Sequence, residues 1–173
     1  PKFLALYTDE VAAIRRQMGK TILVCTNFGS WNSRINPYAV AAQVALRLAG
    51  VTMDSPRGQW LLDILLDCSD AECRNTKTIL AAVEALSAAF PDHKIILRPH
   101  PVEDLATWRH LLARFSNAVV STQASLPAQM MAANVTIHVP GCGTGLEARL
   151  LGRPVICLNT VKDLKFPKLG ISG

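Results

Sequence analysis

One stretch of the chain, residues 136–158, constrains the fold more than any other, because it holds a complete strand–turn–helix–strand pattern. An apolar run at 135–139 is followed by a turn at 141–145 that contains three glycines, then by a short helical pattern and a second apolar run at 155–158. This order predicts a minimal βαβ unit, whose two strands are parallel. Glycines that open into a helix leave backbone N–H groups without intrahelical acceptors, so the turn is a candidate place for an anion to bind. The alternative is a tight turn that serves only to let the strand and the helix pack.

The other apolar runs extend this unit into a larger sheet. Three more runs, rich in β-branched residues, are predicted strands, and helical spacing separates them. We therefore expect an α/β fold, a doubly wound parallel sheet of about five strands with helices on both faces and the strand order 3-2-1-4-5. Its ligand would lie beyond the carboxyl ends of strands one and four, where the order reverses. The additional strands are predicted at 21–25, 94–97 and 118–121, and the helices at 9–18, 38–48, 54–68, 76–90, 103–115 and 127–133.

Composition excludes several classes of protein. The 173 residues are 50% hydrophobic, which suits a single folded domain, residues 1–173, rather than a disordered chain. A net charge of +5 spread along the chain and only 6% aromatic residues argue against a nucleic-acid partner. Five cysteines without a CxxC pair, and no signal peptide or membrane span, indicate a cytoplasmic protein with reduced thiols. Because the pattern begins mid-stream at Pro1, we expect a fragment or a processed chain; removal of an initiator Met would look the same.

The glycine turn has no standard nucleotide-binding signature. Ala148 stands where GxGxxG would need its third glycine, and no Walker GK[ST] is present. Glu147 follows Thr144 by three residues, which is the spacing of a capping box. An alternative is that the Glu147 carboxylate, in the first helical turn, accepts hydroxyl groups of a sugar.

A stiff loop, Arg98-Pro99-His100-Pro101, follows the second strand. Its prolines hold the chain extended, so the position of His100 is well defined. His100 could donate to a phosphate or act as an acid or base, or it could simply bond the backbone. Arg98, at the carboxyl end of a strand, faces the expected crevice or its edge.

Two further polar residues have both a structural and a functional interpretation. His138 alternates with Thr136 on a buried strand, which indicates an interior histidine, but near the end of the strand it could reach the ligand. Arg34 follows the loop after the first strand and could clamp a diphosphate or remain solvated. The four histidines have no metal-ligand spacing, so we expect no metal site.

Three segments of the chain form a familiar set: Ile-Leu-Val-Cys-Thr-Asn-Phe-Gly at 22–29, Leu-Arg-Pro-His-Pro at 97–101 and His-Val-Pro-Gly-Cys-Gly-Thr-Gly-Leu-Glu-Ala at 138–148. Together they resemble the bacterial surface carbohydrate biosynthesis family. More loosely, they are similar to the capsule-assembly Kdo transferases and the glycerophosphotransferases of teichoic acid synthesis. These are GT-B-type glycosyltransferases or close relatives, and the chain resembles their carboxyl-terminal, donor-binding half.

The resemblance implies a role for each candidate residue. A nucleotide-activated sugar would lie in the crevice, with Arg98 and His100 as the catalytic pair near its phosphate. The residues expected to bind substrate are Asn27, Arg34, Gln123, His138, Gly143, Thr144, Gly145 and Glu147. Within that set, the backbone at 143–145 would meet the phosphate, Glu147 the ribose hydroxyls and Gln123 the base. The motif expected of the family is Cys-Thr-Thr-Gly, whereas this chain has Cys142-Gly143-Thr144-Gly145. Gly143 therefore lacks the hydroxyl group expected at its position.

The resemblance also implies the wider function. We expect the donor-binding domain of a glycosyltransferase for capsule or lipopolysaccharide synthesis, whose amino-terminal acceptor-binding half is missing here. The nucleotide sugar would be its substrate, with no additional cofactor, and the full-length protein would sit at the cytoplasmic face of the inner membrane. The fragment alone would turn over little or nothing. The alternatives are a nucleotide-sugar epimerase, with His100 as its acid or base, and a non-catalytic nucleotide-binding or interaction module.

Overall fold

A single parallel sheet forms the centre of the protein. The computed structural model describes residues 2–34, 47, 50–52, 54–140 and 143–158. The five strands of the sheet run in the order β3-β2-β1-β4-β5, and each neighbouring pair is parallel. The predicted fold class and strand order are therefore confirmed. The strands are β1 Thr21–Cys25, β2 Lys94–Arg98, β3 Ala118–Val120, β4 Val135–His138 and β5 Val155–Cys157.

Helices connect the strands, as the sequence predicts. They are α1 Thr8–Met18, α2 Pro56–Ala89, α3 Leu105–Leu112, α4 Leu126–Ala132 and α5 Thr144–Leu150. A short 3₁₀ helix, Lys2–Tyr7, precedes α1. The helix expected at 38–48 lies outside the described residues except for Arg47, and so do Gly141 and Cys142 of the glycine turn. Within the described ranges, no helix combines the length and apolarity needed to cross a membrane.

Helix α2 corrects one prediction. The sequence predicts two helices, at 54–68 and 76–90, whereas the structure has one continuous helix of 34 residues. The polar stretch between the two predicted helices contains neither proline nor glycine, so nothing in its backbone stops a helix. Its polar groups are also used within the helix: the Thr76 hydroxyl donates to the Glu72 carbonyl at 3.0 Å. The predicted start holds, since Ser55 caps the helix by accepting from the Gly58 N–H and Pro56 follows.

Strand β1 lies at the centre of the core and is buried on both faces. One face of the sheet, which includes Ile22 and Val24, packs against α2 and α3 through buried residues such as Trp108. The other face, which includes Leu23, packs against α4 and α5 through residues such as Met130. Burial of a side chain such as Leu23, which has no exposed surface, contributes about 1.5–3 kcal/mol. Two covered faces explain why β1 is a continuous apolar run.

Candidate functional site

A small cavity opens at the carboxyl edge of the sheet, where the strand order reverses between β1 and β4. Its volume is about 70 Å³, far below the roughly 300–1,000 Å³ of sites that enclose a whole small molecule. The cavity therefore suits one group of about the size of a phosphate. Three of the predicted site residues, Arg98, His100 and Thr144, line it together with Cys25, Thr26, Pro99, Pro101 and Leu126.

The polar loop after β2 holds His100 in a defined position. The His100 main-chain N–H donates to Oε1 of Glu103 at 2.8 Å, and the ring Nδ1 accepts from the Val102 N–H at 3.4 Å. Because Nδ1 accepts a hydrogen bond, the neutral ring carries its proton on Nε2. His100 is exposed and lines the cavity, so its ring can donate a hydrogen bond there.

Glu103 is the residue that organises this part of the site, and sequence reasoning missed it. Its side chain is completely buried. Oε1 accepts from the Thr26 hydroxyl and from the His100 N–H, both at 2.8 Å. Oε2 accepts from Trp108 Nε1 at 2.7 Å and lies 3.0 Å from the Thr26 hydroxyl. One carboxylate therefore ties the loop after β1 to the loop after β2.

The position of Glu103 corrects the predicted helix at 103–115. Helix α3 begins only at Leu105, because Asp104 caps it by accepting from the N–H groups of Ala106 and Thr107 at 3.3 and 3.0 Å. An aspartate directly before a run with helical spacing is a recognisable N-cap signal. Read in that way, the sequence would have placed Glu103 outside the helix and beside the proline-rich loop.

The loop after β1 is held by a second glutamate. Oε2 of Glu72, on α2, accepts from the N–H groups of Ser30 and Trp31 at 2.7 and 2.9 Å. Burial raises the pKa of Glu72, and these hydrogen bonds offset part of that rise. The middle of the long helix α2 thus holds the loop after β1 in place. This role was not predicted from the sequence, whose pattern indicates two shorter helices with a break near Glu72.

Asn27 and Arg34 lie on the same loop but do not line the cavity. Asn27 is half-buried. The Arg34 N–H donates to the Val102 carbonyl at 3.1 Å, and its Nε donates to the Glu103 carbonyl at 3.2 Å. These contacts join the loops after β1 and β2, so a structural role for Arg34 is visible, whereas its expected contact with a diphosphate stays a prediction.

Arg98 lines the cavity and also fixes the segment before α4. Its Nη1 donates to the Ala124 carbonyl at 2.6 Å and to Oε1 of Gln129 at 2.8 Å. Burial lowers the pKa of Arg98, which Cys25 and Glu10 partly offset. A guanidinium keeps its charge at neutral pH regardless, so Arg98 contributes a fixed positive charge beside the cavity.

The loop between β3 and α4 contains Gln123, the residue expected to read a base. Gln123 is exposed and does not line the cavity. Its neighbour Ser125 is fixed, because its N–H and its hydroxyl both donate to the carboxylate of Glu10 at 2.6 Å. These two bonds lower the pKa of Glu10. The loop is therefore anchored at the start of α4, while Gln123 lies on the solvent side.

The glycine turn before α5 packs around His138. Nδ1–H of His138 donates to the Val139 carbonyl at 2.9 Å, as expected for an interior histidine. A Cβ atom at Gly145 would lie 2.6 Å from Cε1 of the same ring and closer still to Nε2. Gly145 therefore has a packing reason to be glycine, and the imidazole lies against the first turn of α5.

The capping box, one of the two alternatives for Thr144 and Glu147, does not form at the start of α5. The helix begins at Thr144 with Gly143 as its N-cap, so Thr144 and Glu147 do not occupy the two capping positions. Glu147 is exposed, and its Oε1 lies 3.8 Å from the place where a Cβ atom of Gly143 would be. The Glu147 carboxylate therefore lies beside the turn, where it could accept hydroxyl groups of a ligand.

Metal binding has no visible basis in the described part of the chain. There, no group of three or more His, Cys, Asp or Glu side chains is arranged to hold a metal ion.

Comparisons with known proteins add little to this geometry. No family model matches the chain, and no curated protein matches it. A solved structure described as "Crystal structure of POFUT1 in complex with GDP (crystal-form-III)" aligns with 88% of this chain at 10% identity and a TM-score of 0.46. The chain covers 46% of that protein, about half its length. A similarity this weak does not bear on function, and the fold assignment rests on the strand order and packing described above.

Proposed function

We propose that this chain is the donor-binding domain of a glycosyltransferase-like protein and that it binds the phosphate of a nucleotide-activated sugar. One observation carries the proposal: the cavity at the reversal of strand order lies between the His100 loop and the start of α5. Doubly wound sheets bind their ligands at this position.

The cavity would hold a phosphate between two kinds of donor. On one side would be the N–H groups at the start of α5, where Thr144 lines the cavity, because the first N–H groups of a helix have no intrahelical acceptor. On the other side would be Nε2–H of His100 and the positive charge of Arg98. Preorganised donors of this kind stabilise negative charge that develops on a departing phosphate. In this proposal His100 donates to the leaving group and Arg98 acts electrostatically.

The size of the cavity is consistent with half of a two-domain enzyme. A volume of about 70 Å³ leaves the sugar and the nucleoside outside. Glu147, beside the glycine turn, would accept the ribose hydroxyls, and the exposed Gln123 would lie near the base. The sugar would then be enclosed by a second domain that carries the acceptor site, so the chain alone would be nearly inactive. The surface-polysaccharide role at the inner membrane rests only on the three segments that resemble that family.

The same small volume favours a second candidate, a non-catalytic module that binds a nucleotide phosphate. An epimerase is less well supported, because it needs an acid and a base around the sugar. Of the eight residues that line the cavity, His100 is the only imidazole, and none is a carboxylate. Incubation with a nucleotide sugar in the absence of any acceptor separates these options, since only an epimerase would form an isomeric sugar.

Isothermal calorimetry with CMP-, UDP- and GDP-linked sugars tests the proposal. We expect saturable binding of one of them and about tenfold weaker binding by His100→Ala, the usual effect of losing one charge-assisted hydrogen bond. His110→Ala is the matched control, because His110 is an exposed histidine on α3 that does not line the cavity. Glu147→Ala should also weaken binding, with Glu84→Ala as its control. No binding by any of the three ligands, or equal affinity in wild type and His100→Ala, would contradict the proposal.

A further inference from the structure

A second, larger groove lies along helix α1. Its volume is about 540 Å³, within the range of sites that bind small molecules. It is lined by Thr8, Val11, Ala12, Arg15, Arg16, Met131, Leu151 and Arg153. It runs along α1, from Thr8 to Arg16, and reaches Met131 at the end of α4 and Arg153 before β5. It shares no lining residue with the candidate cavity at the carboxyl ends of the strands.

Three guanidinium groups make this groove strongly positive. None of its lining residues is acidic. Glu10, an acid on the same helix α1, does not line the groove, and its carboxylate accepts both hydrogen bonds from Ser125. A cluster of three arginines without a lining carboxylate attracts an anion with more than one negative charge.

Two of the arginines have a structural role that leaves donors available. Nη2 of Arg15 donates to the Met131 carbonyl at 3.0 Å, and Nη2 of Arg153 donates to the Ala133 carbonyl at 2.6 Å. These bonds satisfy carbonyls at the end of α4, which explains why two cations lie there. They do not explain Arg16, which is exposed and donates no hydrogen bond to the described residues. Since a guanidinium has five N–H donors, the three side chains together retain an ample set.

The floor of the groove is apolar. It is formed by Val11, Ala12, Met131 and Leu151, which line the groove together with the arginines. A bare inorganic ion would use the cations but not this surface. We propose that the groove binds a small organic phosphate, whose phosphate contacts Arg15, Arg16 and Arg153 while its carbon skeleton covers the apolar floor. Planar guanidinium groups suit phosphate oxygens because they can donate two parallel hydrogen bonds.

Phenyl phosphate is a suitable probe, with inorganic phosphate and phenol as its two halves. Titrations followed by NMR should show saturable binding of phenyl phosphate, with a dissociation constant of about 1 mM, weaker binding of inorganic phosphate and none of phenol. Arg16→Gln should weaken the binding of phenyl phosphate about tenfold, the effect of one lost charge-assisted contact. Arg109→Gln, an exposed arginine on α3 outside the groove, should leave it unchanged. Unsaturable shifts, or equal affinity in Arg16→Gln and wild type, would overturn the proposal.

The two sites can be tested separately in the same protein. Backbone signals of Arg15 and Arg16 report the groove, and those of Thr144 and Gly145 report the cavity. His100→Ala should leave the binding of phenyl phosphate to the groove intact, and Arg16→Gln should leave the binding of a nucleotide sugar intact. Shifts confined to Thr144 and Gly145 would overturn the groove proposal without affecting the proposed function, and failure of nucleotide binding would leave the groove proposal standing.

Discussion

The two walls of the candidate cavity are built by different means. The wall that follows β1 and β2 is held by buried carboxylates, chiefly Glu103, whose oxygens accept from Thr26, His100 and Trp108. The wall that follows β4 is held by packing, because the ring of His138 lies against Gly145. The first wall therefore fixes the loop that carries His100, and the second fixes the turn at which α5 begins.

The difference indicates how each wall would fail. A buried carboxylate network depends on the match of every donor to an acceptor, so a single isosteric change breaks it. A packed glycine turn depends on space, so it tolerates polar changes nearby but not one added methyl group. The following predictions test this contrast, from the largest expected effect to the smallest.

Glu103→Gln should be the most damaging change. The variant keeps the shape of the side chain but replaces one oxygen by an NH₂ group, which then faces a donor such as Trp108 Nε1–H or the His100 N–H. We expect the free energy of unfolding in urea to fall by about 3 kcal/mol, since a buried donor loses its acceptor. Glu84→Gln is the control; this glutamate is exposed, 3.5 Å from Arg114, and should change stability by less than about 0.5 kcal/mol. A stability of Glu103→Gln within error of wild type would show that the first wall does not depend on this carboxylate.

Gly145→Ala should break the second wall by crowding. The added methyl group would overlap the His138 ring, at a cost of about 2 kcal/mol in unfolding free energy. Removal of the ring supplies the control: in the His138→Ala background, the same glycine change should cost at least 1 kcal/mol less, roughly the coupling expected of residues in contact. Equal costs in the two backgrounds would mean that the ring is not what requires a glycine at this position.

Glu72→Gln tests whether the two glutamates that hold the first wall, Glu72 and Glu103, depend on their charge to the same extent. Here one carboxylate oxygen accepts from both amide N–H groups, so a glutamine oxygen can keep both bonds. The Ser30 hydroxyl, which also bonds Glu72, can rotate to accept from the glutamine NH₂ group, and the cost of burying a charge disappears. At pH 7 we expect stability to rise by up to about 1 kcal/mol, in contrast to the loss at Glu103.

The effect of Glu72→Gln on stability should depend on pH, because the pKa of Glu72 is raised in the folded state. Burial raises the pKa of Glu72, so the folded state favours the protonated form. The stability that protonation supplies is present below the pKa of the unfolded chain and is lost as the pH rises through the folded pKa. The advantage of Glu72→Gln should therefore grow from about pH 4 to pH 7. Urea unfolding across this range measures it, and a variant that is less stable than wild type at pH 7 would show that the loop requires the charge.

The fold was more predictable from sequence than the site. The run at 21–25 is apolar because both faces of β1 are covered, and this pattern, with the βαβ unit, was sufficient to predict a parallel sheet. The strand order was expected because it is the usual order of such sheets, and the structure has it. Local patterns cannot show which buried polar group accepts from which loop. Glu103 next to a helix start reads as an ordinary first-turn acid, and its role depends on Thr26, which is 77 residues away in sequence.

The glycine turn is a second feature whose role could not be predicted from the sequence. A glycine-rich turn between a strand and a helix is typical of anion sites, and the sequence gives no way to separate that role from packing. In the structure Gly145 leaves space for the ring of His138. This contact depends on how the end of β4 packs against the start of α5, which the sequence pattern does not show. The helix break expected near residues 69–75 was wrong for a related reason, since polarity alone does not stop a helix.

The most direct test of the proposed function is an NMR titration of the protein with the nucleotide sugar that calorimetry identifies. The account predicts that the largest shifts of backbone amide signals fall on Gly143, Thr144 and Gly145, and that the His100 ring signals shift with the same dissociation constant. Shifts that leave these four residues unchanged and fall elsewhere on the protein would contradict it.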